Sequence, residues 1–291
     1  MTHIGEIAAL FTAFSWTICA LFFEKAGRRV GSLSVNIIRI FLGVIFLGIT
    51  TLITRGMFFP MDATAHNWLW LGISGIIGFF IGDLFLFKSY TMIGSRTSQL
   101  VMSLAPMFTA IIGWLFLTEL LSWKSILGIV VSITGIMIAI AGKQLKLNIS
   151  PKGFLFALGG AIGQAVGLVL SKKGMDGYDA VASTQIRAIF GFVCFVLLVT
   201  FLKRWGQIFR STKDLQSVKM ISIGSIFGPF IGVSLSLYAV QHTNTGIAAT
   251  LMALVPIIII VPSAIMFKEK ITAQQVIGAL ISIVGASIFF L

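Results

Sequence analysis

The sequence predicts an all-α integral membrane protein, with ten transmembrane helices arranged as two inverted five-helix repeats. Three observations lead there. Of the 291 residues 57% are apolar and only 10% charged, with a mean hydropathy of +1.04, whereas soluble domains carry about 25% charged residues. The apolar residues come in blocks of about 18–22, the length that crosses roughly 30 Å of hydrocarbon at 1.5 Å per residue. The second half of the chain also repeats the first at an offset of 148–150 residues.

In chain order the blocks lie at about 4–23, 33–54, 68–87, 97–117, 123–142, 153–171, 181–202, 219–239, 247–267 and 273–291. Each is expected to be helical, because lipid offers no partner to an unpaired backbone group. The apolar–polar alternation of a membrane β-strand is not found in them. The opening MTHIGEIAALF lacks a basic leader region and a small-residue cleavage site, so it reads as the first span rather than a removed signal. The connector KQLKLNISPKG (143–153) divides the chain into five spans plus five, which gives repeats over 1–146 and 147–291.

The repeat is legible residue by residue. MSLAPMFTAIIGWLFLTEL (102–120) faces MALVPIIIIVPSAIMFKEK (252–270), sharing Pro106/Pro256 and Glu119/Glu269. GFFIG (78–82) faces GPFIG (228–232), and Gly128, Ser132 and Gly135 face Gly278, Ser282 and Gly285. At an offset of 148, Arg39 aligns with Arg187 and Trp16 with Gln164. A repeat of this length sets the architecture before any finer reading. Five crossings is an odd number, so the second copy enters the membrane from the opposite side, the inverted-repeat plan of many secondary transporters.

The net charge of +12 would point to nucleic acid in a soluble chain, but nearly all the Lys and Arg lie between the apolar blocks. There they fit anionic lipid and topology, and no nucleic acid is expected as a partner. The loops at 24–32, 88–96, 143–152, 203–219 and 268–270 hold fifteen of the 21 basic residues, against four in the other set with both tails. The richer loops are expected to be cytoplasmic, which places both termini outside. Cys19 and Cys194 lie inside apolar blocks as small core residues, and the three histidines have no metal-ligand spacing, so no metal is expected. No phosphate-binding loop, HExxH or GxSxG appears. Neither a cofactor nor catalysis is therefore expected, and a transport cycle would draw on a substrate or ion gradient. The alternatives are a non-transporting membrane scaffold or sensor and, with less support, a membrane-embedded enzyme.

The LAPMFTAIIGWLFLTELLSW and LVPIIIIVPSAIMFKEKITA segments, the Gly-rich third and eighth spans and the five-plus-five duplication together resemble the EamA family, the ten-helix branch of the drug/metabolite transporter superfamily. The resemblance covers essentially the whole chain. It implies a plasma-membrane carrier of small organic metabolites, often amino acids or related solutes moved outward. It also implies both termini in the cytoplasm, opposite to the charge count. The family's Gly-Glu before the fifth helix is Thr118-Glu119 here, and Lys268-Glu269 in the second half.

Within the spans, polar residues are the candidates for a translocation path. Asp83 lies about fifteen residues into the third span, where a charge is expensive, and its repeat mate is Val233. It either binds a cationic group or a coupling proton, or pairs with Lys88 or an arginine of a neighbouring helix. Arg39 and Arg187 sit five or six residues into their spans, within snorkelling reach of an interface, and read as interfacial anchors or as gates that pair with an acid. Trp16, Gln99, Ser103, Gln164, Ser234, Ser236 and Tyr238 read as path-lining groups or as interhelical hydrogen bonds. Glu119 and Glu269 are expected to end helices, and Pro106 and Pro256 to kink them. Glycines spaced by four, Gly78/Gly82, Gly159/Gly163/Gly167 and Gly224/Gly228/Gly232, are expected to pack the halves together or to form a dimer seam. The partners expected are thus a small-molecule substrate, membrane lipid and a coupling proton, with the chain a monomer or homodimer.

Overall fold

The computed structural model describes residues 3–117, 123–140, 150–243, 248, 251–268 and 270–289. Among them the ordered elements are all helical, and six helices are long and apolar enough to cross a membrane. The first half holds α1 (Ile4–Val30), α2 (Ser32–Arg55), α3 (Ala65–Ser74), a π-helical stretch (Gly75–Gly82), α4 (Asp83–Met102), α5 (Ala105–Leu117) and α6 (Trp123–Ile140). The second holds α7 (Pro151–Met175), α8 (Ala180–Phe201), α9 (Trp205–Lys213), α10 (Leu215–Ser225), a second π-helical stretch (Ile226–Phe230) and α11 (Ile231–His242). It closes with α12 (Val255–Ile258), α13 (Ile260–Phe267) and α14 (Ala273–Phe289).

Local chemistry sets the boundaries. α1 runs seven residues past its expected end and turns into α2 through Gly31, whose φ of 86° suits glycine. The run Ala65–Met102 is 38 residues, roughly 57 Å of helix and far more than one crossing needs. It breaks at Gly94 (φ 80°, ψ 157°), the junction of the expected third and fourth spans. The buried Glu24 carboxylate of α1 secures that break, accepting a hydrogen bond from the Ser95 N–H at 2.6 Å and pairing with Arg28 at 2.5 Å. Ser150, Asp179 and Asp214 cap α7, α8 and α10 through their side-chain oxygens, each satisfying a backbone N–H that has no partner within its helix. The connector at 203–219 is not a plain loop. It folds α9, whose Ser211 hydroxyl meets Ser34 at 2.9 Å and whose Gln207 reaches the Val30 carbonyl.

The two halves meet along seams that exchange under the repeat offset. Gly163 and Gly167 of α7 lie against Gly82 and Gly78, so closely that a Cβ on Gly163 would fall 2.6 Å from the Gly82 Cα. The equivalent seam sets α10 and α11 on α1, where Gly224 and Gly228 receive Phe23 and Gly232 receives Trp16. α6 and α14 form a third seam, with Gly135 against Gly278 and the Ser132 hydroxyl donating to the Ser282 carbonyl at 2.9 Å. In lipid the apolar medium gives helices little hydrophobic reason to associate, so this close backbone contact is what holds them. Apolar side chains point outward as well, such as Ile53 and Phe201 at 78% and 84% exposed, as a lipid-facing surface requires.

The bundle has two chemically different ends. At one, Arg29 pairs with Asp214, Arg28 lies over the Phe267 ring and Glu24 holds Ser95. Three of the five Lys/Arg-rich loops are thereby tied to one face. At the other, Arg55 and Tyr178 both bond Asp62, His66 meets the Lys173 carbonyl, and Thr243 donates to Glu6 near the N-terminus.

Candidate functional site

A cavity of about 200 Å³ lies between the halves, walled by α1, α2, α4 and α5 on one side and α7, α8, the second π-helical stretch, α11 and α12 on the other. Each half has a helix interrupted beside it. α4 ends at Met102, Ser103 and Leu104 turn, and Pro106 opens α5; Ala253 and Leu254 turn in the same way before Pro256 opens α12. Pro106 and Pro256, expected as kinks, thus stand in the first turn of new helical segments, where their missing N–H costs nothing. Both line the cavity. The π-helical stretches at Gly75–Gly82 and Ile226–Phe230 occupy equivalent places in the repeats and lead into the cavity wall.

The polar centre joins four helices. Asp83 pairs with Arg39 through Oδ2. Its Oδ1 accepts from Gln164 Nε2 at 2.8 Å, and Gln164 also donates to the Gly78 carbonyl. Asn36 steadies the arginine, accepting from Arg39 Nε at 3.1 Å while its own amide donates to the Asp83 carbonyl at 3.3 Å. The Arg39 guanidinium lies 4.5 Å from the Phe87 ring centroid, an attraction of about 0.5–2 kcal/mol. Asp83 therefore has the partnership with an arginine of a neighbouring helix. Arg39 and Arg187 are both 3% exposed and line the cavity.

Arg187 differs from its repeat mate. Its guanidinium stacks 4.7 Å from the Phe79 ring centroid, and Gly78 leaves room for it, since a Cβ there would stand 3.2 Å from Nη2. Its Nε is buried without a hydrogen-bond partner, and no acid among the described residues forms an ion pair with it.

Trp16, Gln99, Ser103 and Ser236 also line the cavity. Gln99 donates to the Tyr90 hydroxyl at 2.7 Å, and Ser103 meets Ser282 at 2.9 Å. Ser234 and Tyr238 do not reach it. They border a separate hollow with Lys172, Asp176 and Tyr178 at the end of the bundle opposite the Lys/Arg-rich loops. The reason is helical phase: residues 234 and 238 share one face of α11, and Ser236, two positions on, points away from them. Glu119 and Glu269 lie outside the described residues. Sequence reasoning missed Asn36, Tyr90 and the aromatic walls Phe79 and Phe87. The available signal was an Asn three residues before an Arg inside an apolar span, a spacing that stacks the two on one helix face.

Helices that span a membrane several times, broken beside a cavity that both halves wall, define a multi-pass membrane protein of the transporter class. Residues 3–141 and 151–291 each match the EamA-like transporter family, and the chain belongs to that family. It is 21% identical over 212 residues to an uncharacterized transporter of Archaeoglobus fulgidus, covering 72% of this chain and 73% of the relative. It is 25% identical over 193 residues to a probable amino-acid metabolite efflux pump of Salmonella typhimurium, covering 65% and 64%. A solved crystal structure superposes with a TM-score of 0.64 over 99% of this chain and 96% of its own, at 16% identity, which shows a shared fold.

Proposed function

We propose that the protein is a secondary carrier that moves a small organic metabolite, an amino-acid-like or related solute, outward across the plasma membrane by alternating access. The observation that carries this reading is the shared polar centre. Arg39 and Asp83 come from the first repeat and Gln164 and Arg187 from the second, and all four line one cavity. Relative motion of the halves must therefore remake the cavity wall, as rocking of inverted repeats about a midplane site requires. Ten spans in two inverted sets of five account for the exchange of seams under the repeat offset. The tying of Lys/Arg-rich loops to one end of the bundle supports a cytoplasmic position for that end, with both termini outside. Asp83 is the acid through which a coupling proton would act, because protonating it would release Arg39. The amino-acid-related solute and the outward direction are supported by the family and by the efflux pumps among the relatives. The test is flux of radiolabelled solutes in liposomes containing only this protein. Saturable, gradient-driven movement of an unaltered solute is expected; no flux across an amino-acid and organic-acid panel would leave a scaffold, and a chemically altered solute would make it an enzyme.

A further inference from the structure

The repeats share an arginine in the cavity but not the arginine's partners. In the first repeat Arg39 is held twice, by Asn36 at Nε and by Asp83 at Nη2. The offset of 148 sets Thr184 opposite Asn36, and the offset of 150 sets Val233 opposite Asp83. The Thr184 hydroxyl donates to the Ala180 carbonyl of its own helix, and Val233, which lines the cavity, has no polar atom to offer. Both positions that would satisfy Arg187 are therefore occupied by side chains that do not. A permanently charged planar guanidinium is left in the wall, buried, with its Nε unpartnered. Asp83 attracts this charge only across space, with no hydrogen bond or ion pair between them, and a bidentate carboxylate is the group whose geometry matches that fork.

The rest of the wall fixes the remainder of the ligand. Asp83 is the only acidic side chain among the described residues lining the cavity, and both its carboxylate oxygens are engaged, by Arg39 and Gln164. An ammonium group would find no free anion there. The Phe79 and Phe87 faces nearby already carry the two guanidinium groups. Leu86, Leu168 and Met252 make the remaining surface largely apolar. We infer that the cavity takes a small monocarboxylic acid with an apolar body and no ammonium group. Arg187 grips its carboxylate in the place that Asp83 fills in the other repeat. The inference rests on the carrier reading of the same cavity and narrows its solute to a related organic acid, to the exclusion of the amino acids themselves.

The test is equilibrium binding to the purified full-length protein of three solutes that differ only in charged groups: 3-phenylpropionate, phenylalanine and 2-phenylethylamine. The acid is expected to bind at least tenfold tighter than the zwitterion, and the amine not at all. Arg187→Gln should weaken the acid at least tenfold. Val233→Asp, which supplies the second repeat with the acid it lacks, should abolish acid binding while keeping or raising the melting temperature. Equal or tighter binding of phenylalanine, no binding of the acid, or an Arg187→Gln variant with unchanged acid affinity overturns the inference. Binding and flux fail separately. Arg187-dependent binding without flux would remove the carrier reading and leave the carboxylate site, whereas Arg187-independent flux of a zwitterion would do the reverse.

Discussion

Asp83→Asn strikes the polar centre with the smallest change of shape. It removes one of two charges in an ion pair whose side chains are 4% and 7% exposed and leaves Arg39 buried without its counter-ion. Breaking a buried pair from one side costs about 3–5 kcal/mol. Arg39 keeps its bond to Asn36 and its position over Phe87, so the loss belongs near the lower end of that range. Removing both charges with Arg39→Met and Asp83→Leu leaves neither member of the pair as an orphan charge, and such apolar replacements are often neutral or stabilising. Equilibrium unfolding in mixed micelles of Arg39→Met, Asp83→Leu and their combination, run as a double-mutant cycle, should therefore give a coupling of about 3 kcal/mol, with the double variant more stable than either single variant or than Asp83→Asn. Asp83→Asn should also abolish uptake driven by a pH gradient. A loss below about 1 kcal/mol with additive single effects would refute the pairing argument, and unchanged pH-driven uptake would refute the coupling role of Asp83.

The glycine seam predicts that Gly163→Leu, whose Cβ alone would meet Gly82 at 2.6 Å, destabilises by about 1–3 kcal/mol or more. Gly206→Ala, with nothing within 4 Å, should change stability by under about 1 kcal/mol in the same unfolding assay. Outside the membrane, Tyr178 donates to Asp62 at 2.7 Å, and that bond, with Arg55 beside it, holds the Asp62 carboxyl below its usual range. Burial, reinforced by Asp62, pushes the Tyr178 hydroxyl up to about 12, so it stays a donor through neutral pH. A depressed carboxyl stabilises the fold above its unfolded value of about 3.9 and loses that contribution as pH falls through the folded value. A melting curve should therefore be flat in this term from neutral to about pH 5, with an acid-side loss that Asp62→Asn diminishes; an identical acid limb in the variant would contradict it. Cysteines at the exposed equivalent positions Ala65 and Leu215, in a chain stripped of Cys19 and Cys194, should be labelled by an impermeant thiol reagent from opposite sides of the membrane. Labelling from the same side would undo the inverted arrangement.

What the sequence made legible was whatever depends on spacing along one helix. Glycines at intervals of four predicted the seam, because every fourth residue returns to the same face. The Arg39–Arg187 alignment was visible because the repeat keeps register. Contacts between helices were not. Arg39 and Asp83 are 44 residues apart on different helices, and no local pattern carries their pairing. Ser234, Ser236 and Tyr238 were read together because each is polar in an apolar span, but α11 can turn only one of its faces to the cavity. Glu24 stands just past the expected first block, in the stretch expected to be a loop. The helix continues past it, and the Gly94 break draws its carboxylate inside. α9 was hidden because its charges made it look like a connector.

Cys19 is a native reporter for the claim on which the carrier reading stands, since it lines the cavity between the halves. In a Cys194→Ala background, a charged, membrane-impermeant thiosulfonate should modify Cys19 in right-side-out and in inside-out vesicles. A transported solute should shift the two rates in opposite directions. Modification from one face alone, whatever solute is present, would contradict a cavity that opens to each side in turn.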